Sequence, residues 1–355
     1  MSANKRLASV DALRGLAVAA MLLVNNPGDW SYVLSPLEHS AWNGCTPTDL
    51  VFPLFLFIVG VSLALALGPK QEAGAKASEL MPAVLKRGLR IVGLGLVLHL
   101  LAWWLMGKAE FRLLGVLQRI GLCFLATGAL SLSLRPRQQW ALLLALLAGY
   151  GLLLMGTGLD KIGGLEQRVD TWVLGRWSYE WDAATGIGFD PEGIVSTLGS
   201  LATSLLGWRC GAWLRAGRIQ PLLRLGAAMM ALGFLLDQLG LPFNKQLWTP
   251  SFVLWNAGID ALLLVLAHWL VDQKGLPPLG RAFGVNAIAA YAGAWMCTVF
   301  LDGFGWMGPI YARGFGWLEP LVGPYGRSLA FALVFVALWW VIVRWLDQRR
   351  VYIKV

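Results

Sequence analysis

Ten stretches of this 355-residue chain are apolar over close to the ~20 residues that an α-helix needs to cross the hydrocarbon core of a bilayer. They lie at about 10–26, 49–68, 88–106, 113–134, 140–156, 193–214, 221–239, 250–271, 282–301 and 326–346. Inside a bilayer each backbone N–H and C=O must be satisfied by the protein itself, so such a chain folds as helices or closes as a barrel. None of the ten alternates apolar and polar residues with the period of two that a barrel strand needs. The pattern predicts an all-α, polytopic membrane bundle of about ten helices. The fifth segment is short at its core and the ninth carries polar Asn286 near its start, so nine or eleven crossings fit the same pattern.

Composition agrees with a membrane bundle and narrows the partners. Hydrophobic residues make up 57% and charged residues 14% of the chain, against roughly a quarter charged in soluble domains. Nineteen Trp residues suit headgroup layers, where the ring is buried and its N–H stays wet. The net charge of +9 comes with no basic face or nucleic-acid motif, so nucleic acid is not an expected partner. Cys45, Cys123, Cys210 and Cys297 are far apart and have neither metal-ligand nor disulfide spacing. No metal is expected. Lys5 and Arg6 precede an apolar run without a small-residue cleavage site, so a retained N-terminus is expected.

With the N-terminus inside, twenty of the 29 Lys and Arg residues fall on the inner side, among them Lys70, Lys76, Lys86, Arg87, Arg90, Arg135 and Arg349. This asymmetry predicts an integral membrane protein with both termini in the cytoplasm. The chain reads as one transmembrane domain over 1–355, with outer loops at 27–48, 157–192 and 302–325 and a polar inner linker at 69–87. Loop 157–192 mixes Trp172, Trp177, Tyr179 and Trp181 with five acids. That surface suits a polyhydroxylated or cationic ligand, and it equally suits an interfacial lid.

Ionisable side chains inside membrane helices are costly and draw attention first. Asp11 and Arg14 share a helix face, as a structural ion pair or a ligand contact. Gln118 and Arg119 lie inside the fourth helix, where an Arg must find a carboxylate, a carbonyl or an anionic ligand. Asn256 and Asp260 share a face of the eighth, and Asp237, Asn244 and Lys245 cluster at the outer end of the seventh. His99 reads as hydrogen-bonded packing and His268 as interfacial. His39 differs. It sits in an outer loop with Asp49 ten residues on, at the start of a helix, and Asn25-Asn26 at the end of the preceding one. A loop between packed helices would gather a base, an orienting carboxylate and amide donors for an oxyanion. No Ser nucleophile elbow or metal cluster competes with it.

Several of these positions form a familiar set. Ser9-Val10-Asp11-x-x-Arg14-Gly15, Val24-Asn25 and His39-x-x-Trp42-Asn43-Gly44-x-Thr46-x-x-Asp49-Leu50-Val51-Phe52-Pro53 resemble the heparan-α-glucosaminide N-acetyltransferase family. The resemblance continues through Leu117-Gln118-Arg119-Ile120, Asp190-Pro191-Glu192-Gly193-Ile194, Asn244-Lys245-x-Leu247-Trp248-Thr249 and Gly284-Val285-Asn286. It covers nearly the whole chain in the same order. It implies a membrane acetyltransferase that takes cytosolic acetyl-CoA and acetylates the amine of a glucosamine on the far side. The family's extra N-terminal lumenal region has no counterpart in this sequence, which argues against a polymeric acceptor.

The family's active-site histidine maps onto His39 and a functional asparagine onto Asn25. Asp49 is expected to orient His39. Gln118, Arg119, Asn244, Lys245 and Trp248 are expected around the acyl donor, and Trp42, Asn43, Glu192, Asn256 and Asp260 around the sugar. A glucosamine ammonium must lose a proton before it attacks a thioester, so a base is needed. His39 could serve as that base or first take the acetyl group as an acyl-imidazole. The expected partners are an amino sugar, the bilayer and, at most, a second copy as a homodimer. The competing function is a transporter of N-acetylglucosamine or related amino sugars, whose polar residues bind without reacting.

The sidedness is testable by labelling. With Cys45 replaced first, a cysteine placed in 27–48 should react with a membrane-impermeant maleimide added outside intact cells. One placed in 69–87 should react only after permeabilisation. The reverse pattern would invert the topology.

Overall fold

The computed structural model describes residues 7–353. Thirteen α-helices account for most of them: α1 (Ala8–Asn25), α2 (Val51–Glu72), α3 (Ala77–Leu105), α4 (Val116–Ser133), α5 (Pro136–Thr157), α6 (Leu165–Val173), α7 (Thr197–Arg215), α8 (Ile219–Gln238), α9 (Pro250–Ala267), α10 (Arg281–Val285), α11 (Ala287–Gly303), α12 (Met307–Phe315) and α13 (Glu319–Gln348). Every one of the ten predicted segments is helical. Eight of the helices are long and apolar enough to cross a membrane among the described residues. Of the other two, α11 has only 17 residues, and α7 carries Ser, Thr and Arg209 within its length. α7 tolerates them because it is buried inside the bundle, where Thr203, Ser204 and Cys210 are fully shielded.

Three boundaries differ from the sequence pattern, each for a local reason. The inner linker shrinks to 73–76, because α2 runs on to Glu72 and α3 starts at Ala77. The polar residues read as a loop extend the two helices instead. The ninth segment breaks at Asn286, whose φ of −122° and ψ of 34° part α10 from α11. The last helix turns sharply at Gly323, where φ is +71° and Pro324 follows. The outer loops also carry structure of their own. Loop 157–192 holds α6 and a short antiparallel hairpin, β1 (Glu180–Asp182) with β2 (Ile187–Phe189), in register Trp181 opposite Gly188. Loop 302–325 holds α12.

Helices inside lipid gain little from the hydrophobic effect against one another, so close backbone contact decides their packing. α2 and α7 show how close. A Cβ on Gly60 would overlap the carbonyl oxygen of Ser204, and one on Gly207 would overlap that of Phe57. The first turn of α1 is held from a distance in sequence. The Asp272 carboxylate accepts the amides of Ala8 at 3.0 Å and Ser9 at 3.3 Å, together with the Ser9 hydroxyl. An acceptor there satisfies N–H groups that the helix itself leaves free. His268 stands 2.9 Å from the same carboxylate.

The α2–α7 contact makes a direct prediction. Gly60→Val should lower the thermal midpoint in detergent by the equivalent of about 1–3 kcal/mol, since neither backbone can recede. Gly149→Ala in α5, where a Cβ meets nothing within 4 Å, should leave the midpoint unchanged or raise it.

Candidate active site

The loop after α1 reaches α2 through a single turn, Pro47–Leu50, whose carboxylate does two jobs. Asp49 Oδ2 accepts the Thr46 amide at 3.0 Å and the Thr46 hydroxyl at 3.1 Å, closing a capping box at the start of the helical run. The same oxygen accepts the Ser40 amide at 3.0 Å, and Oδ1 lies 2.7 Å from His39 Nδ1. Every partner is a donor, so the turn is built around an ionised carboxylate. The arrangement assigns the imidazole proton to Nδ1 and leaves the Nε2 lone pair free. Asp49 is fully buried while the His39 side chain is 48% exposed, so a rigid buried anion orients an accessible base.

A second loop, between α8 and α9, closes over this one. Gly44 donates to the Phe243 carbonyl at 2.7 Å, and the Asn244 side-chain amide donates to Asn43 Oδ1 at 3.1 Å. Within that loop Leu247 N–H donates to Asn244 Oδ1 at 2.8 Å. Trp248 sits at a φ of +53°, a region few bulky residues enter, with its indole N–H on Thr203 Oγ1 at 3.0 Å. These contacts deliver Lys245 to His39: Nζ lies 2.9 Å from Nδ1, 3.2 Å from Nε2 and 3.6 Å from Asp49 Oδ1. Nearly equal distances to both ring nitrogens put the ammonium over the imidazole face, clear of the in-plane lone pair. Burial pushes Lys245 below the usual amine range, while Asp49 and Glu192 pull it back toward the charged form. Burial pushes the neighbouring Cys45 thiol up to about 12, which leaves it a poor nucleophile beside His39.

The third wall comes from the outer segment before α7. Arg112 binds Asp190 through Nε at 3.1 Å and Nη2 at 2.6 Å, and also binds Glu192. Its guanidinium covers the Tyr179 ring at 4.2 Å. Burial opposes its charge, but Glu192 and Asp190 outweigh that and raise its pKa. Asp170 accepts the amides of Asp190 and Ile194, each at 3.1 Å, and burial lifts its carboxyl to about 6. Trp42 ties the His39 loop to this wall, donating from Nε1 to the Leu159 carbonyl at 3.0 Å and packing on Phe189.

Other sequence-derived candidates are placed differently. Asn25 is exposed at the end of α1, and its side chain bonds to none of the described residues. Asn26 is turned away, donating to Leu22 O and accepting from Thr298. Gln118 meets Leu113 O at 3.1 Å and the ring of His99, whose Nδ1 lies 2.9 Å from Arg112 O. Asn256 and Asp260 are wholly buried in α9, with Asn256 donating to Phe252 O. Arg112 escaped the sequence reading altogether, because nothing local distinguishes it from any other outer basic residue.

A cavity of about 600 Å³ opens between α1, α2, α3, α4 and the α10–α11 break. Its lining includes the basic side chains Arg14, Lys70 and Arg87 and the apolar Phe55 and Leu117. Phe55 is six residues beyond Asp49, about 9 Å along a helix. Tyr291 on α11 also lines it. Gln118, Arg119, Asn244, Lys245 and Trp248 are not among its lining residues. Arg14 is also anchored, to Asp11 at 3.1 Å, Gly284 O at 3.0 Å and Ser62 at 2.6 Å.

Arg119 is fully buried, donating to Gly193 O at 3.1 Å and Ser196 Oγ at 2.5 Å beneath the Trp248 ring. These bonds tie α4 to the start of α7. Arg119→Lys should therefore lower the thermal midpoint and activity together, since a shorter-headed, strongly hydrated ammonium buried there cannot replace the planar guanidinium that packs on Trp248 and donates from Nη2. A fall in donor affinity at an unchanged midpoint would place Arg119 in the donor site instead.

The family profile described as heparan-α-glucosaminide N-acetyltransferase, catalytic, matches residues 6–174, which include the His39 turn and the α4 motif. The human heparan-α-glucosaminide N-acetyltransferase is 29% identical over an alignment covering 81% of this chain and 52% of that protein. For the mouse protein of the same name the figures are 28%, 82% and 54%. The chain thus spans about half the length of the curated relatives it matches. By profile over its first half, and by alignment over most of its length, the chain is similar to heparan-α-glucosaminide N-acetyltransferases.

Proposed function

We propose that this protein is a transmembrane acetyltransferase that moves an acetyl group from acetyl-CoA, bound from the inner side, to the amine of a glucosamine-type sugar at the outer site. The observation that carries this reading is a cavity of about 600 Å³ lined along α2 from Phe55 to Lys70, the helix whose preceding turn holds His39 through Asp49. Arg14, Lys70 and Arg87 suit the phosphates of the donor nucleotide, and the apolar walls at Phe55 and Leu117 suit its slender thioester arm. In this reading both termini are cytoplasmic and the protein sits in an inner or plasma membrane.

At the outer site, His39 Nε2 takes a proton from the attacking amine or first accepts the acetyl group, and Asp49 fixes the ring in the required tautomer. Asn25, at the mouth of the His39 loop, supplies an amide to the substrate or the oxyanion. Glu192 is the acceptor-side carboxylate, with Trp42 and Asn43 on the loop beside it. An ammonium sugar is drawn to a buried anion, and its ring stacks on an indole. Domain 1–355 acts as one unit, with loops 27–48 and 157–192 forming the acceptor mouth.

Purified protein in detergent has no compartments, so only chemistry can be observed there. Wild-type protein given acetyl-CoA and glucosamine, or a short glucosamine oligomer, should release free thiol. His39→Ala should retain donor binding and lose about 10²–10⁴-fold in turnover. Arg87→Gln and Lys70→Gln should raise the KM for acetyl-CoA about tenfold each, with little change in kcat. Sugar binding without consumption of acetyl-CoA, across a panel of amino sugars, would hand the protein to the transporter reading.

A further inference from the structure

Lys245 lies 206 residues from His39 in sequence, yet its Nζ is 2.9 and 3.2 Å from the two ring nitrogens. The loop that carries it is held by Asn244 on Asn43, Phe243 on Gly44 and the buried Trp248 indole on Thr203. Its nearest carboxylate, Asp49, is 3.6 Å away and already accepts four closer donors. The side chain remains 21% exposed on the accessible side of the imidazole. A cation fixed beside a base, with its own anion shared among other donors, is placed to meet negative charge that forms during a reaction.

We propose that Lys245 is a catalytic residue of the acyl transfer, whose ammonium stabilises the oxyanion formed when the acceptor amine adds to the thioester carbonyl next to His39. This rests on the acetyltransferase reading. The acceptor ammonium first releases one proton to water. The amine lone pair then forms the N–C bond, and the carbonyl π pair moves onto oxygen, which faces Lys245. His39 Nε2 takes a proton from the adduct nitrogen. When the oxyanion collapses, the C–S bond breaks and the leaving thiolate receives that proton from His39. The products are the acetamide and free coenzyme A thiol, and Lys245 ends the cycle as an ammonium. A lysine serving only as a donor anchor would affect affinity and leave the chemical step intact.

The charged and titratable groups facing the ammonium are His39, Asp49 and Cys45 from the first loop and its turn, and Glu192 from the segment before α7. Burial lowers the lysine below its ordinary value and these carboxylates oppose the shift. A required ammonium is fully present at low pH and is lost as pH rises through its folded pKa. The rate should therefore fall on an alkaline limb that starts below the ordinary lysine range.

Steady-state kinetics on detergent-purified protein, with acetyl-CoA and glucosamine, test this directly. Lys245→Met should lower kcat about 10²-fold or more while acetyl-CoA affinity, measured by calorimetry without acceptor, stays within about twofold. Lys245→Arg keeps the charge and should recover at least about tenfold of that loss, with the alkaline limb removed. A Lys245→Met kcat within about threefold of wild type, or a loss confined to acetyl-CoA affinity, overturns the proposal while leaving the enzyme an acetyltransferase. If Lys245→Met does not fold, the Lys245→Arg profile decides: an unchanged alkaline limb overturns the role. A wild-type protein that never consumes acetyl-CoA removes the acetyltransferase reading, and this proposal with it.

Discussion

The Asp49 carboxylate joins the fold to the site. One of its oxygens accepts the Thr46 amide, the Thr46 hydroxyl and the Ser40 amide, which together begin the second membrane helix and fold the preceding loop back on it. The other holds His39. A carboxylate so placed can neither drift nor rotate without unravelling the first turn of the helix, so the imidazole inherits the rigidity of the bundle. The helix cap also supplies a fixed anion where the chain leaves the bilayer, and a neutral side chain there would leave several N–H groups unpaired. Substitution at Asp49 is thus a structural event as much as a chemical one.

Membrane packing explains why the rest of the machinery can be spread over distant elements. α2 and α7 touch through Gly60 and Gly207, which lets two backbones approach where side chains would hold them apart. The cavity lies on another side of α2, between α1, α3 and α4, and its largely apolar lining includes Arg14, Lys70 and Arg87. The outer lid uses ion pairing instead: Arg112 gathers Asp190 and Glu192, and Asp170 takes up the amides of the same turn. Buried carboxylates there are tolerable because each has donors aimed at it.

Much of the site is local and was readable as such. Thr46 and Asp49 stand three apart at the start of an apolar run, the spacing of a capping box, and His39 lies ten residues before that carboxylate on the same loop. Their meeting needs only one turn. Asn25 and Asn26 are equally near in sequence, but α1 fixes their directions: one is exposed and the other bonds to Leu22 and Thr298. Sequence proximity placed the pair at the loop and could not aim their side chains. Arg119 illustrates the same limit inside a helix. Its need for a carboxylate, a carbonyl or an anionic ligand was evident, but only packing chose the Gly193 carbonyl and added the Ser196 hydroxyl.

The places of the main helices along the chain, and the His39–Asp49 turn, were determined by the sequence alone, because backbone hydrogen bonds inside a bilayer and cap bonds at its edge are satisfied within a few residues. The breaks at Asn286 and Gly323, the hairpin in the outer lid and the helical extension of the inner linker depended on packing at the two membrane surfaces, where water can satisfy the backbone equally well. Above all, tertiary structure alone decided that Lys245 would lie over His39 and that Arg14, Lys70 and Arg87 would line one cavity. Those contacts join residues dozens to hundreds of positions apart, and no periodicity in the chain encodes which faces of which helices meet.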